Sequence, residues 1–364
     1  MKLQGILRAE LPFALVLIHI GQKDGADFSQ LSFPTLGDMN NDCDSTTLTE
    51  GSVALVFDLN GMPCKIFLAQ TNDGFTGKLD LVSPAFEMHE EITGTLIAVE
   101  PGFTAHHCIV PQENIDRLRA YNTYQDLPCE PVLRHELNNE NVLAFVKEKG
   151  FDVENHHDFA TMCALMSKVC SRISQDGVNY CHDRENHGTI AQILHAEKQN
   201  NITNCRGIAI ILCGVLRAYG FKANYVECWP TKDGDQDIHV VCEAFAPDLG
   251  KTVLLDPSSN LYYMLDGQVL NLIELKNALV NGRQQDISFN ADAAHGEEQD
   301  PGRQMLAYMS KNMVLLSKCI HSCEELEMDR EDNCICLAPQ ELLDDDHPDA
   351  TMRTANVRKF YTYK

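Results

Sequence analysis

The chain is short of positive charge and has no long apolar run. It holds 29 Lys and Arg against 53 Asp and Glu in 364 residues, a formal charge of −24. A surface so poor in cations does not neutralise phosphates, so nucleic acid is excluded as an expected partner. No stretch approaches the ~18 apolar residues that a bilayer crossing requires, so no membrane partner is expected. The one contender for a targeting segment, Leu11-Pro-Phe-Ala-Leu-Val-Leu-Ile-His-Ile20, follows Arg8 and Glu10, contains His19 and lacks a small-residue cleavage pattern. It reads as a buried strand rather than a signal peptide. Also missing is the regular cysteine spacing of a disulfide scaffold: the 15 cysteines are odd in number and scattered. Together these absences point to a reducing, cytoplasmic setting.

What is present is apolar material, 44 % of the chain, enough for two cores. The expected domains are 1–125 and 126–364. The acidic excess suits a soluble protein and weakly favours cationic peptides or amines by long-range steering; an evenly solvated surface is its commoner meaning.

From Met1 to about Arg117, Gly, Asp, Asn and Pro punctuate short runs such as Ser52–Phe57, Lys65–Ala69 and Thr95–Val99. Leu59-Asn-Gly-Met62 and Asn72-Asp-Gly-Phe75 are turns of the kind that close hairpins, so a mostly antiparallel β-domain is expected. It carries no chemical motif. His106-His107-Cys108 does not suit a metal, because adjacent strand residues point to opposite faces. Substrate docking, shielding of a catalytic face and scaffolding all stay open as its role.

A linker near Tyr121–Glu130 leads to helices. Asn138 or Asn139 is placed to cap Glu140–Lys149, which stops at Gly150, and Asp158 to cap a helix through Ile173 whose apolar stripe is core. The polar stretch Ser174–Gly188 contains Cys181, His182, Asp183 and His187 at no common zinc spacing, and reads as a loop bordering a cleft. A short helix follows, Ile190–Lys198.

The stretch Asn201–Gly220 has the most chemical content. Ile208, Ile211, Leu212, Val215, Leu216 and Tyr219 recur at spacings of three and four, giving a helix with one apolar face. Thr203 and Asn204 suit its N-cap, and Gly220 suits the left-handed position past its end. Cys205 therefore falls in the first turn, where the helix dipole, with Arg206 beside it, favours a thiolate. A cysteine by itself more often simply packs. Here, however, a strand ending at Trp229 follows, then a turn over Thr231–Asp237, a strand Ile238–Phe245 with His239 near its start, and a strand Thr252–Leu255 that delivers Asp256 before Pro257. Helix-borne Cys, strand-borne His and strand-end Asp are nucleophile, base and orienting carboxylate. Taken singly, His239 would be a satisfied core histidine and Asp256 a turn cap.

Cys205-Arg-Gly, Leu216-Arg-Ala-Tyr-Gly-Phe-Lys-Ala, Asp237-Ile-His-Val-Val and Leu255-Asp-Pro-Ser-Ser-Asn resemble the transglutaminase-like (papain-related) superfamily, and its bacterial branch most. The resemblance runs from about His157 to the C-terminus, with Thr252 standing where that branch usually has Trp. It implies an α+β, cysteine-protease-like core: a Cys-bearing helix packed on an antiparallel sheet that bears His and Asp, behind the N-terminal mostly-β domain. It implies a catalytic triad of Cys205, His239 and Asp256, no metal and no cofactor, and a peptide or protein substrate. The expected chemistry is acyl transfer on a peptide or carboxamide. Hydrolysis is slightly favoured over transamidation because nothing marks an amine tunnel, and an inactive peptide-binding or assembly module is the alternative. Arg206 is open between tuning the thiolate, binding a substrate carboxylate and a structural salt bridge.

Beyond Asp256, Leu270–Val280 reads as a helix, Gln284–Arg303 as an exposed polar excursion and Met309–Leu316 as a strand. Cys319, Cys323, Cys334 and Cys336 form a second cluster without a Cys-x-x-Cys pair. A redox pair or plain packing is expected there ahead of zinc. Neither the oligomeric state nor the substrate can be read from the chain.

Overall fold

The computed structural model describes residues 5–10, 15–23, 26–33, 38–59, 62–72, 74–83, 86–97, 110–175, 188–230, 238–293, 301–324, 333–343 and 351–364. By contacts the chain divides into two units, Met1–Pro111 with Glu298–Tyr308, and Gln112–Glu297 with Met309–Lys364.

The first unit is built from nine strands, β1 (Gly5–Glu10), β2 (Leu15–Lys23), β3 (Ala26–Phe33), β4 (Asp38–Asp42), β5 (Ser45–Leu48), β6 (Ser52–Leu59), β7 (Met62–Thr71), β8 (Gly74–Ser83) and β9 (Phe86–Ile97). They form one antiparallel sheet in the order β4-β3-β2-β1-β9-β8-β7-β6-β5. Alternation decides which face is inside: Val16, Ile18 and Ile20 of β2, Val53, Leu55 and Phe57 of β6, and Cys64, Ile66 and Leu68 of β7 are all buried in one cluster. The two ends of the strand order meet. The Cys43 N–H donates to the Ser29 carbonyl at 3.1 Å, the Leu48 N–H to Asp27 Oδ2 at 3.2 Å, and the Ser29 and Thr46 hydroxyls lie 2.5 Å apart. The sheet thus curls around an apolar interior and leaves few unpaired edge groups. At the two expected hairpins Leu59 pairs with Met62 and Thr71 with Gly74; Asn60, Gly61 and Asp73 lie outside the described residues, as do His106, His107 and Cys108.

The second unit contains α1 (Gln112–Ala120), β10 (Arg134–His135), α2 (Glu140–Glu148), α3 (Phe159–Arg172), β11 (Ser174–Gln175), α4 (Thr189–Lys198), β12 (Ile202–Thr203), α5 (Cys205–Ala218), β13 (Ala223–Trp229), β14 (His239–Ala246), β15 (Lys251–Leu255), β16 (Tyr263–Leu265), β17 (Gln268–Val269), α6 (Leu272–Val280) and β18 (Ser288–Phe289). The helix α7 (Pro301–Asn312) leads into β19 (Leu315–Cys319), β20 (His321–Ser322), β21 (Cys334–Leu337), β22 (Met352–Thr354) and α8 (Val357–Tyr361). Six strands make a central sheet in the order β15-β14-β13-β19-β21-β22, antiparallel except for β21–β22. Helix α5 packs on β13 and β14 and is buried along nearly its whole length. Gly214 allows α4 to come this close, since a Cβ there would meet Thr189 Oγ1 at 1.5 Å.

The alternation of β13 and β14 sorts their side chains between two faces. Tyr225, Val240, Cys242 and Ala244 join the core around α5. Glu243 belongs to the other face, where α6 and α8 reach it: the Leu272 N–H and the Tyr361 hydroxyl both donate to Glu243 Oε1.

Several expectations shift. The polar excursion ends earlier than expected, because Pro301–Arg303 opens α7, with Pro in the first turn where its missing N–H costs nothing. That helix runs to Asn312, so the strand expected over Met309–Leu316 begins only at Leu315; residues 304–319 are buried without a break, so no apolar period marks the change from helix to strand. Earlier in that segment Ile287 is buried and β18 pairs with β16. The linker is pinned rather than free: Gln125 exchanges backbone hydrogen bonds with Ala355 and Val357, and Asp126 pairs with Arg358 at 2.8 Å. Asn139, not Asn138, caps α2, and Asn138 takes a left-handed φ of 57°. Among the described residues no helix is long and apolar enough to cross a membrane.

Candidate active site

Cys205 opens α5. Asn204 caps the helix by accepting the Gly207 N–H at 3.0 Å, and the first helical bond runs from the Ile208 N–H to the Asn204 carbonyl. The Cys205 N–H precedes that bond, at the positive end of the helix dipole. At the other end Gly220 stands at φ +90°, a conformation that strains a residue bearing a Cβ. The thiol is part-exposed.

His239 begins β14 opposite Cys228 of β13. Its Nε2 lies 2.8 Å from Asp256 Oδ2, and both side chains are buried. The Cys205 side chain also hydrogen-bonds the ring. Asp256 is fixed from both sides. Its Oδ1 accepts the Ser258 N–H at 3.0 Å, and its backbone pairs with Leu261. Helix α3 holds the next residue through the Cys170 thiol, which donates to the Pro257 carbonyl at 2.8 Å.

The electrostatics follow from these contacts. Burial by itself would push the His239 imidazole towards neutrality. The charge and hydrogen bond of Asp256, then the hydrogen bond and charge of Cys205, outweigh it and raise His239 to about 10. At neutral pH the ring is an imidazolium between a carboxylate and a sulfur. The neighbouring cysteines behave differently. Burial, then the charges of Glu243 and Asp256, holds Cys228 well above the usual thiol range, and burial raises Cys170 to about 12. Both stay neutral thiols.

The three expected side chains thus come together from three elements. Arg206 sits beside them as half of an ion pair, Nη2 to Glu227 Oε1 at 3.0 Å, with its guanidinium 5.9 Å from the centre of the Tyr225 ring. Sequence reasoning overlooked Glu227, the Ser258 N–H and Cys228. A carboxylate inside the otherwise apolar run Tyr225–Trp229 was the available signal for the first of these. The late cysteines are all buried; Cys319 faces Cys334 in register and Cys336 faces Ser317. Among the described residues no group of three or more His, Cys, Asp or Glu could hold a metal. Cys181, His182, Asp183 and His187, and the turn Thr231–Asp237, lie outside the described residues.

No family model and no curated protein matches the chain. Among solved structures it is similar to one described as a "putative cysteine protease" from Cytophaga hutchinsonii, with 10 % identity, a TM-score of 0.27 and coverage of 80 % of this chain and 83 % of that one. It is also similar to one described as a "putative protease" from Parabacteroides distasonis, with 11 % identity, a TM-score of 0.23 and coverage of 68 % of this chain and 37 % of that one.

Proposed function

We propose that the chain is a thiol-dependent acyl-transfer enzyme of the transglutaminase-like, cysteine-protease-like kind, acting on a peptide or carboxamide, with water as the final acceptor. The observation that carries this reading is the continuous contact from Asp256 Oδ2 through the His239 ring to the Cys205 thiol at a helix start. For attack Cys205 reacts as the thiolate while His239 holds the proton. The sulfur attacks the carbonyl carbon, and the Cys205 N–H faces the developing oxyanion. His239 then gives its proton to the departing amine as the C–N bond breaks and a thioester remains. Water attacks the thioester, His239 takes a proton from it, and acid and thiol are released. Asp256 orients the ring and balances its charge throughout.

The part-exposed sulfur between a helix N-terminus and an imidazolium favours turnover over simple peptide binding. The test is hydrolysis of a panel of peptide amides by the full-length protein, with product amine measured. Release that vanishes in Cys205→Ala supports the reading. Transfer of the acyl group to an added primary amine in preference to water would move it to transamidation. Tight peptide binding without release would move it to a binding module.

A further inference from the structure

Arg206 follows the proposed nucleophile directly, yet its fork is committed inward. Nη2 meets Glu227 at 3.0 Å, and the guanidinium carbon lies 5.9 Å from the centre of the Tyr225 ring. Glu227 is 6 % exposed, so its carboxylate has left water and depends on a cation to stay charged. An arginine held this way is not presented to a substrate carboxylate. It ties the first turn of α5 to β13, and β13 is the strand hydrogen-bonded to β14, which carries His239.

We propose, on the basis of the acyl-transfer reading, that Arg206 and Glu227 are positioning residues that fix Cys205 against His239 and cancel each other's charge beside the thiolate–imidazolium pair. An unbalanced Arg206 would stabilise the thiolate and disfavour the imidazolium; an unbalanced Glu227 would do the reverse. With both present, the attraction between Cys205 and His239 and the carboxylate of Asp256 are left to set the protonation of the site. Among the described residues the charged and titratable groups around this point include Glu227 and Cys228 from β13, His239 and Glu243 from β14, Asp256 at the end of β15, Tyr263 from β16, Cys336 from β21 and Arg353 from β22. Glu227 and Cys205 both act on Cys228, and Glu227 also on Cys336. Glu227 thus acts on Cys228, the residue that faces His239 in register across β13 and β14.

The test uses full-length wild type, Arg206→Gln, Glu227→Gln and the double variant. The rate of iodoacetamide capture at Cys205, read by peptide mass, is followed against pH. Glu227→Gln should move the acid limb of the profile down by about one pH unit, and Arg206→Gln should move it up by about as much, as expected for one unit charge gained or lost in partly buried surroundings. The double variant should return the limb to near its wild-type position. Melting temperature is measured alongside, but a loss of stability alone does not drive the limb in opposite directions in the two single variants. Should Arg206→Gln not fold, Arg206→Lys keeps the charge while losing the fork; its limb should stay put while that of Glu227→Gln falls. Limbs that do not move, or that move the same way in both single variants, overturn the proposal while leaving Cys205 as nucleophile. A wild-type Cys205 no faster than the part-exposed Cys43 and Cys129 overturns the acyl-transfer reading, and this proposal with it.

Discussion

Strand β14 carries two buried ionisable side chains, His239 and Glu243, and burial has opposite outcomes for them. His239 lies 2.8 Å from Asp256, and Asp256 has its second oxygen on the Ser258 N–H. Compensated in this way, the imidazolium survives burial. Glu243 faces Lys318 of β19 across 4.0 Å, and neither Glu243 Oε2 nor Lys318 Nζ has a hydrogen-bond partner among the described residues. Lys318 Nζ sits instead 3.9 Å from the Phe360 ring centre and 4.6 Å from that of Tyr361. Burial dominates there, pushing the Glu243 carboxyl up and the Lys318 amine down, both towards their neutral forms. An ångström of separation and one missing hydrogen bond divide a pair that keeps its charges from one that is driven to lose them. The first suits proton transfer; the second fills space between the sheet and α8.

The largest expected effect breaks the charged pair on its acid side. Asp256→Asn should preserve the fold and lower turnover by about three to four orders of magnitude, since an amide favours the wrong imidazole tautomer. Steady-state hydrolysis, with circular dichroism to confirm folding, checks this. Next comes the second pair. Lys318→Met should cost well under the roughly 3–5 kcal/mol of a stranded buried charge, because the Glu243 left behind takes up a proton, and adding Glu243→Gln should change that loss little. Urea unfolding of the two variants measures the difference, and a large loss that Glu243→Gln recovers would place the charges of that pair on the same footing as those of the first.

The pH dependence sharpens the contrast. His239 has its folded-state affinity for protons raised from 6.5 to about 10. Its contribution to stability is thus complete below about pH 6.5 and is lost as pH climbs towards 10. The stability advantage of wild type over His239→Gln should shrink over that window, and an advantage that grew instead would mean a buried neutral histidine. The smallest effect is on the cap. Asn204→Ala should cost about 1 kcal/mol by releasing the Gly207 N–H, and should slow Cys205 alkylation as the first turn frays.

The parts of this architecture legible in the sequence are those governed by local pattern. The 3.6-residue spacing after Cys205, the cap at Asp158, the caps narrowed to Asn138 or Asn139 and to Thr203 or Asn204, and the alternation of β6 and β7 all rest on neighbours in the chain. The parts that were not legible depend on who sits next to whom at long range. Strand β19 pairs with β13 although some ninety residues separate them, and this brings Lys318 to Glu243. Nothing near Lys318 in the chain announces that partner, although a lone lysine in the apolar run Val314–Ile320 was a sign of a buried charge. The segment before β19 was ambiguous for another reason. Its methionines fit a strand or a helix over a short window, residues 304–319 are buried without a break, and Pro301 in a first helical turn is the signal that remains.

The central claim is that Cys205 is an activated nucleophile among 15 cysteines. The most direct measurement is intact mass after brief exposure at neutral pH to a panel of thiol-directed peptide electrophiles, with wild type compared with Cys205→Ala. The account predicts a single adduct on wild type and none on the variant, with the other part-exposed thiols among the described residues, Cys43, Cys129, Cys163 and Cys170, unmodified. Adducts spread over those thiols, or a single adduct that persists in Cys205→Ala, would contradict it.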